Sequence, residues 1–141
     1  MLTRTILAVL ITTVSPALAA DVTYFPAEKV SAAFAKGGVL FDGAGTNYMV
    51  HASRRDAAGQ VEVHTRDTDI IYMLSGTATM VTGGTIVEAH NQSPTEIRGA
   101  KITGGTTREV RKGELIIIPK GTPHWTTGTD GTVQLLVVKV Q

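Results

Sequence analysis

The sequence lacks cysteine, has few aromatic residues and carries almost no net charge. Its 141 residues include one Trp, three Tyr and three Phe, and 13 Lys and Arg stand against 12 Asp and Glu. Without cysteine there can be no disulfide, no thiolate metal site and no cysteine nucleophile. Without a basic field to attract phosphates, a nucleic-acid partner is not expected. Any metal must therefore be bound by Asp, Glu or one of four histidines, namely His51, His64, His90 and His124.

The first nineteen residues are typical of a secretory signal peptide. Arg4 precedes an apolar run from Thr5 to Val14, and Ala17-Leu18-Ala19 places small residues where a signal peptidase cleaves. The apolar run is half the length of roughly 20 residues that a membrane span needs. We therefore expect residues 1–19 to be removed. Residues 20–141 would then form one domain that is periplasmic or secreted and has no membrane partner.

Short strands dominate the rest of the chain. Residues 26–36 predict a short helix, because proline suits a first helical turn and Gly37-Gly38 would end it. After Gly38, short apolar runs rich in Val and Thr alternate with turn residues, which favours a sandwich or barrel. Residues 83–105 are predicted to be an inserted loop or an extra hairpin. The predicted strands are Val39–Phe41, Asn47–Ser53, Val61–His64, Ile70–Leu74, Ala78–Thr82, Glu96–Ile102, Thr107–Arg111, Leu115–Ile118, His124–Thr127 and Val133–Val140.

The residues best suited to bind a metal ion lie in two segments. In Val61-Glu62-Val63-His64, alternation along a strand places Glu62 and His64 on one face. Asp69 follows five residues after His64. Much later, the run from Gly113 to His124 predicts a strand, a tight turn and then a histidine.

These two segments resemble the two conserved motifs of the cupin family. The second motif is matched by Gly113, Pro119, Gly121 and His124, although Gly128 stands where the family has Asn. In the first motif, Glu62 takes the place of the first His, His64 that of the second, Asp69 that of the Glu and Gly76 that of the closing Gly. Asp56 stands at the position of the leading glycine.

The resemblance implies an all-β cupin (jelly-roll) barrel with a divalent metal ion held inside it. Carried over position by position, the ligands would be Glu62, His64, Asp69 and His124, where the family's usual set is three His and one Glu. Two imidazoles and two carboxylates favour Mn(II) or Fe(II), with Zn(II) and Ni(II) as alternatives. Asp69 is shorter than Glu, so it either binds the metal or orients a ligand or water.

The alternative is a barrel without metal, in which the two carboxylates lie on the surface and the two histidines are hydrogen-bonded. The cost of burying an unpaired carboxylate favours the metal.

Other polar residues are weaker candidates. Met49, His51 and Ser53 share one face of a strand, and if that face points inward His51 can act as a general acid or base. An outward or hydrogen-bonded His51 is the alternative. We expect His90 to be solvated and Trp125 to pack away from His124. Any one of five scattered arginines could pair with an anionic substrate, and the sequence does not select among Arg54, Arg55, Arg66, Arg98 and Arg108.

Two functions follow from the resemblance. The first is an exported metal-dependent enzyme of the dioxygenase, isomerase or lyase type acting on a small organic molecule, with His51 as the proton carrier. The second is a non-catalytic cupin that binds a metal or a small ligand. An open pocket lined by His51 would favour the enzyme. The resemblance also implies a homodimer.

Overall fold

The computed structural model describes residues 21–141, so the predicted signal peptide lies outside the described residues. One helix, α1 (Ala27–Lys36), precedes the strands. It begins after Pro26, has Glu28 in its first turn, and ends at Gly37, whose N–H donates to the carbonyl oxygen of Ala33 at 2.8 Å. Gly37 has a φ of +74°, which glycine adopts without steric cost. Within residues 21–141, no helix has the length and apolar character required to cross a membrane.

The remainder of the described chain is built from eleven strands. Two of them, β4 and β11, are much longer than the others, and each joins two segments that the sequence predicted as separate strands. Their bounds are β1 (Gly38–Phe41), β2 (Tyr48–Arg55), β3 (Val61–His64), β4 (Thr68–Thr82), β5 (Thr85–Val87), β6 (His90–Ser93), β7 (Glu96–Gly99), β8 (Lys101–Thr103), β9 (Thr106–Arg111), β10 (Leu115–Ile118) and β11 (His124–Val140).

Strand β11 organises the main sheet. Its second half pairs with β2 on one side and with the first half of β4 on the other. Its first residue, His124, is the cross-strand partner of Glu62 on β3 and of Thr82 on β4. Strands β9 and β10 both pair with β4, and β1 pairs with β2. All of these pairings are antiparallel, which is typical of sandwiches and barrels.

The segment 83–105, which was predicted to be an inserted loop or an extra hairpin, forms two nested strand pairs. Strands β5 and β8 pair as the outer couple, and β6 and β7 pair inside it. Strand β7 also pairs with β3, so the segment extends the main sheet beside the strand that carries Glu62 and His64. The predicted strand Glu96–Ile102 is divided at Ala100, where β7 ends and β8 begins.

The apolar core lies between the long strands. Met73 of β4 and Val133 of β11 are fully buried, and their neighbours on the same faces continue the cluster. Burying one such side chain contributes about 1.5–3 kcal/mol. Gly76 lies within β4 with a φ of +75°, and a Cβ there would lie 2.8 Å from the carbonyl oxygen of Thr132. The cluster comprises Ile71, Met73, Ala78, Met80, Val110, Ile118, Val133, Leu135 and Val137.

Candidate metal centre

A cavity of about 320 Å³ lies on the inner face of the sheet. Its apolar wall is formed by Ile71, Met80, Leu135 and Val137, which belong to β4 and β11. The rest of its lining is polar, with contributions from β2, β3, β4, β7 and β11. The cavity therefore has the apolar wall and convergent polar groups that are typical of small-molecule sites.

The four predicted metal ligands meet in this cavity. The Nε2 of His64 lies 3.7 Å from Oε2 of Glu62 and 3.5 Å from Oδ2 of Asp69. The Nε2 of His124 lies 3.7 Å from Oε1 of Glu62 and 3.8 Å from the same Asp69 oxygen. The two imidazole ring centres are 5.2 Å apart. Each imidazole therefore directs one nitrogen toward both carboxylates.

His124 has one nitrogen fixed by the backbone and the other without a partner. Its Nδ1 is 3.0 Å from the carbonyl oxygen of Thr122, and a carbonyl only accepts, so Nδ1 carries the proton of the neutral ring. Its Nε2 is buried and has no hydrogen-bond partner within residues 21–141. Burial lowers the pKa of His124 below its ordinary value of 6.5, despite the nearby carboxylates. The free lone pair is therefore presented to the cavity.

The positions of Glu62, His64 and His124 suit a divalent ion. Their donor atoms all lie within 4.8 Å of one another. Two donors bound to one ion at about 2.1 Å are roughly 3.0–3.4 Å apart at octahedral or tetrahedral angles. The observed separations of 3.7 Å between Glu62 and each imidazole exceed this range by a few tenths of an ångström. The residues present therefore fit a metal bound by two imidazoles and one carboxylate.

Asp69 forms an ion pair with Lys139, which is not among the residues predicted from the sequence. Both of its carboxylate oxygens accept from Nζ of Lys139, at 2.8 and 2.9 Å. The side chains of Asp69 and Lys139 are 5% and 14% exposed, so the pair is largely shielded from water. Lys139 could have been found from the alternation along β11, since Leu135, Val137 and Lys139 occupy one face. The ion pair favours the alternative in which Asp69 orients a ligand or water.

Glu62 has two arginine neighbours. Oε2 of Glu62 lies 3.1 Å from a guanidinium nitrogen of Arg98, and Oε1 lies 3.5 Å from one of Arg55. Arg98 is the cross-strand partner of Glu62 and also pairs with Glu96. Of the five arginines that the sequence left undecided, Arg55 and Arg98 are the two that line the cavity. The pairing between β3 and β7 places Arg98 here, and the sequence held no clear signal for it.

His51 lines the same cavity, so the strand face that carries it points inward. Its Nε2 is buried without a hydrogen-bond partner within residues 21–141. Burial, together with the positive charge of Lys139, lowers the pKa of His51 below 6.5. A neutral imidazole beside the candidate ligands can accept a proton from a bound molecule.

The remaining two candidates lie outside the cavity. His90 is exposed at the start of β6, where its Nδ1 is 3.3 Å from the carbonyl oxygen of Glu88. Trp125 is half-buried, and its indole N–H donates to the carbonyl oxygen of Gly59 at 2.9 Å. Both positions agree with the expectation that His90 is solvated and that Trp125 packs away from the site.

Comparison with known proteins identifies the family. The family model described as Cupin matches residues 21–141. A search of curated protein sequences finds no match. Among solved structures, protein NMB1881 from Neisseria meningitidis is similar with a TM-score of 0.54 and 10% identity, over 79% of this chain and 96% of that one. A cupin protein from Bacteroides fragilis, BF4112, is similar with a TM-score of 0.52 and 17% identity, over 74% and 75% of the two chains.

A plant protein has a related fold. The 11S globulin from Wrightia tinctoria is similar with a TM-score of 0.53 and 18% identity, over 74% of this chain and 25% of the globulin. At these identities the three similarities show the fold alone, and that fold is the jelly-roll barrel that the motifs implied. Because the family model covers all of the described residues, the chain belongs to the cupin family.

Proposed function

We propose that this cupin binds a divalent metal ion through Glu62, His64 and His124 and acts on a small organic molecule in the adjoining cavity. The observation that carries the proposal is the buried Nε2 of His124, which has no hydrogen-bond partner within residues 21–141 and faces a carboxylate 3.7 Å away. Leaving a buried polar atom unpaired costs about 1–3 kcal/mol. Such an atom is explained when it serves as a ligand.

The protein's own residues would bind the substrate and move a proton. A bound ion would supply Lewis acidity, polarising a carbonyl or enolate oxygen of the substrate. Burial and Lys139 lower the pKa of His51, which favours its neutral form, so it can take a proton from a molecule in the cavity. Asp69, fixed by Lys139, would orient a water or substrate hydroxyl. Ile71 and Leu135 would exclude water from the apolar side.

The donor set favours Mn(II) or Fe(II), with Zn(II) and Ni(II) as alternatives. Two imidazoles and one carboxylate leave positions on the ion open to substrate, which is compatible with dioxygenase, isomerase or lyase chemistry. Oxygen uptake measured with catechols, diketones and flavonols would separate the first class from the other two.

A non-catalytic binding role is the second candidate. It is favoured by the cations that already neutralise both carboxylates, Lys139 at Asp69 and the two arginines at Glu62. In that case the cavity would bind a small ligand without a metal ion.

Metal analysis after reconstitution tests the proposal. We expect the wild-type protein to retain about one ion per chain and His124→Ala to lose at least tenfold in affinity, because one of three ligands is gone. His90→Ala is the matched control, since His90 is exposed outside the cavity. If reconstituted wild-type protein held no stoichiometric Mn, Fe, Zn or Ni, the metal site would be refuted and the second role would remain.

A further inference from the structure

The charged side chains that line the cavity balance one another before any ion is added. Three are cationic and three are carboxylates. A divalent ion adds two positive charges that this lining does not balance. Because an uncompensated charge is costly in a confined, partly desolvated space, the ion-loaded cavity favours an anion. The six residues are Arg55, Arg98, Lys139, Glu62, Asp69 and Glu96.

Glu62 connects the ion site to two of these cations. Its two oxygens face the imidazoles of His64 and His124 at 3.7 Å, and the same oxygens face the guanidiniums of Arg98 and Arg55 at 3.1 and 3.5 Å. A carboxylate that neutralises a divalent ion has less charge to share with its arginines. Binding of the ion therefore leaves Arg55 under-neutralised and leaves Arg98 with Glu96 as its remaining carboxylate partner.

These two arginines are also within reach of a molecule that enters the cavity. The side chains of Arg55 and Arg98 are 34% and 24% exposed, whereas that of Lys139 is 14% exposed. Lys139 is already bonded to both oxygens of Asp69. Guanidinium groups present planar, paired N–H donors that match a carboxylate.

Resting on the metal site proposed above, we propose that the ion-loaded cavity binds a small organic carboxylate through Arg55 and Arg98. We further propose that ion and carboxylate strengthen each other's binding through Glu62. Such coupling is reciprocal, so the factor by which the carboxylate raises the affinity for the ion equals the factor by which the ion raises the affinity for the carboxylate.

Succinate and its neutral diamide, succinamide, serve as probes. The affinity for Mn(II) is measured from the electron paramagnetic resonance signal of free aquated Mn(II), with either probe present. We expect succinate to tighten Mn(II) binding roughly tenfold, within the usual range of coupling between sites, and succinamide to leave it unchanged. Calorimetric titration of succinate into the protein with and without Mn(II) should give the same factor.

Variants of Arg55 and Arg98 test whether these residues cause the tightening of Mn(II) binding by succinate. In Arg55→Gln and Arg98→Gln, Mn(II) should bind more tightly than in wild type when succinate is absent, because a positive charge beside Glu62 is gone. In the same variants, the gain on adding succinate should fall to less than threefold. Arg66→Gln is the matched control, since Arg66 is exposed and bonds to Gln141. Chelation of Mn(II) by succinate in solution is the same for every variant, and a titration without protein corrects for it in the comparison with succinamide.

A loss of folding is separated from a loss of the site by two further measurements. Unfolding followed by the fluorescence of Trp125, the single tryptophan of the sequence, identifies any variant that is not native. Arg55→Lys keeps the charge without the planar fork and should retain part of the coupling.

Two results would overturn the inference in different ways. Mn(II) binding by the wild type that succinate does not change would overturn the carboxylate site and leave the metal site intact. Absence of Mn(II) binding by the wild type would overturn both proposals. Retention of the full succinate effect in an Arg55→Gln/Arg98→Gln double variant would also exclude these arginines as the anion site.

Discussion

Replacing Lys139 with methionine should destabilise the metal-free protein while strengthening its binding of metal. The side chain of Asp69 is 5% exposed and bonds to Lys139 through both oxygens. Methionine keeps most of the length of the lysine stem but removes the charge, so Asp69 is left as a buried carboxylate without its cation. At the same time, both oxygens of Asp69 become available as metal ligands beside His64 and His124.

The expected loss in unfolding free energy can be estimated. Removing one partner of a buried ion pair costs about 3–5 kcal/mol in general. The loss for Lys139→Met in the absence of metal should therefore be about 3–5 kcal/mol at pH 7.

Urea unfolding in EDTA at pH 7, followed by circular dichroism and by Trp125 fluorescence, measures this loss. Lys112→Met is the control, since Lys112 is exposed. The double variant Asp69→Asn/Lys139→Met should regain most of the stability, because it removes both charges together. In Lys139→Met, saturating Mn(II) should raise the unfolding free energy by more than it does in wild type. A loss below 1 kcal/mol at pH 7 would refute this reasoning.

Two further predictions concern pH and backbone conformation. Because burial holds the pKa of His51 and His124 below 6.5, the unfolded chain binds more protons than the native protein below that pH. The contribution of these two histidines to the unfolding free energy should therefore be fully present above pH 6.5 and decrease as the pH falls. His124 should contribute up to about 1.4 kcal/mol per pH unit. A flat profile of the unfolding free energy from pH 7.5 to 5.5, measured by urea unfolding, would contradict this. Gly76→Ala should lower the unfolding free energy by about 1–3 kcal/mol more than Gly131→Ala in the same assay. Both glycines have positive φ, but of the two only Gly76 has neighbouring atoms that a Cβ would clash with. Equal losses would show that the close approach to Thr132 is unimportant.

Strand positions were predictable wherever local alternation decided them. Strands β3 and β10 begin and end at the predicted residues, because each is a short run bounded by turn residues. Strands β4 and β11 were predicted as two pieces each, since Gly76 and the glycines near residue 130 are typical of turns. In the structure, those glycines lie within continuous long strands, and the register of β11 against β4 shifts between Thr126 and Gly128 and again between Asp130 and Leu135. Irregular pairing between strands far apart in sequence leaves no local signal.

In the candidate site, too, local signals in the sequence were predictive and long-range contacts were not. The placement of Glu62 and His64 on one face follows from period-two alternation, and the motif spacing identified His124. The partners that control the charge of the site depend on long-range pairing. Lys139 is 70 residues from Asp69 and reaches it because β11 pairs with β4. Arg98 reaches Glu62 because the segment 83–105 adds β7 to the sheet beside β3. A strand at Glu96–Ile102 was predicted, but nothing local in the sequence indicates its pairing with β3.

The cations around the two carboxylates also bear on how metal binding and folding are related. A buried carboxylate without a partner costs several kcal/mol, so a chain that supplied only the ligands would need the ion in order to fold, as small zinc domains do. Here Lys139 neutralises Asp69, and Arg98 neutralises Glu62, within the chain itself. We infer that the barrel folds without metal and that an incoming ion takes over Glu62 from its arginines. Because those contacts would have to weaken for the ion to bind, we expect the affinity for the metal to be lower than the ligand set alone would give, and the released guanidiniums would direct an anion to the ion.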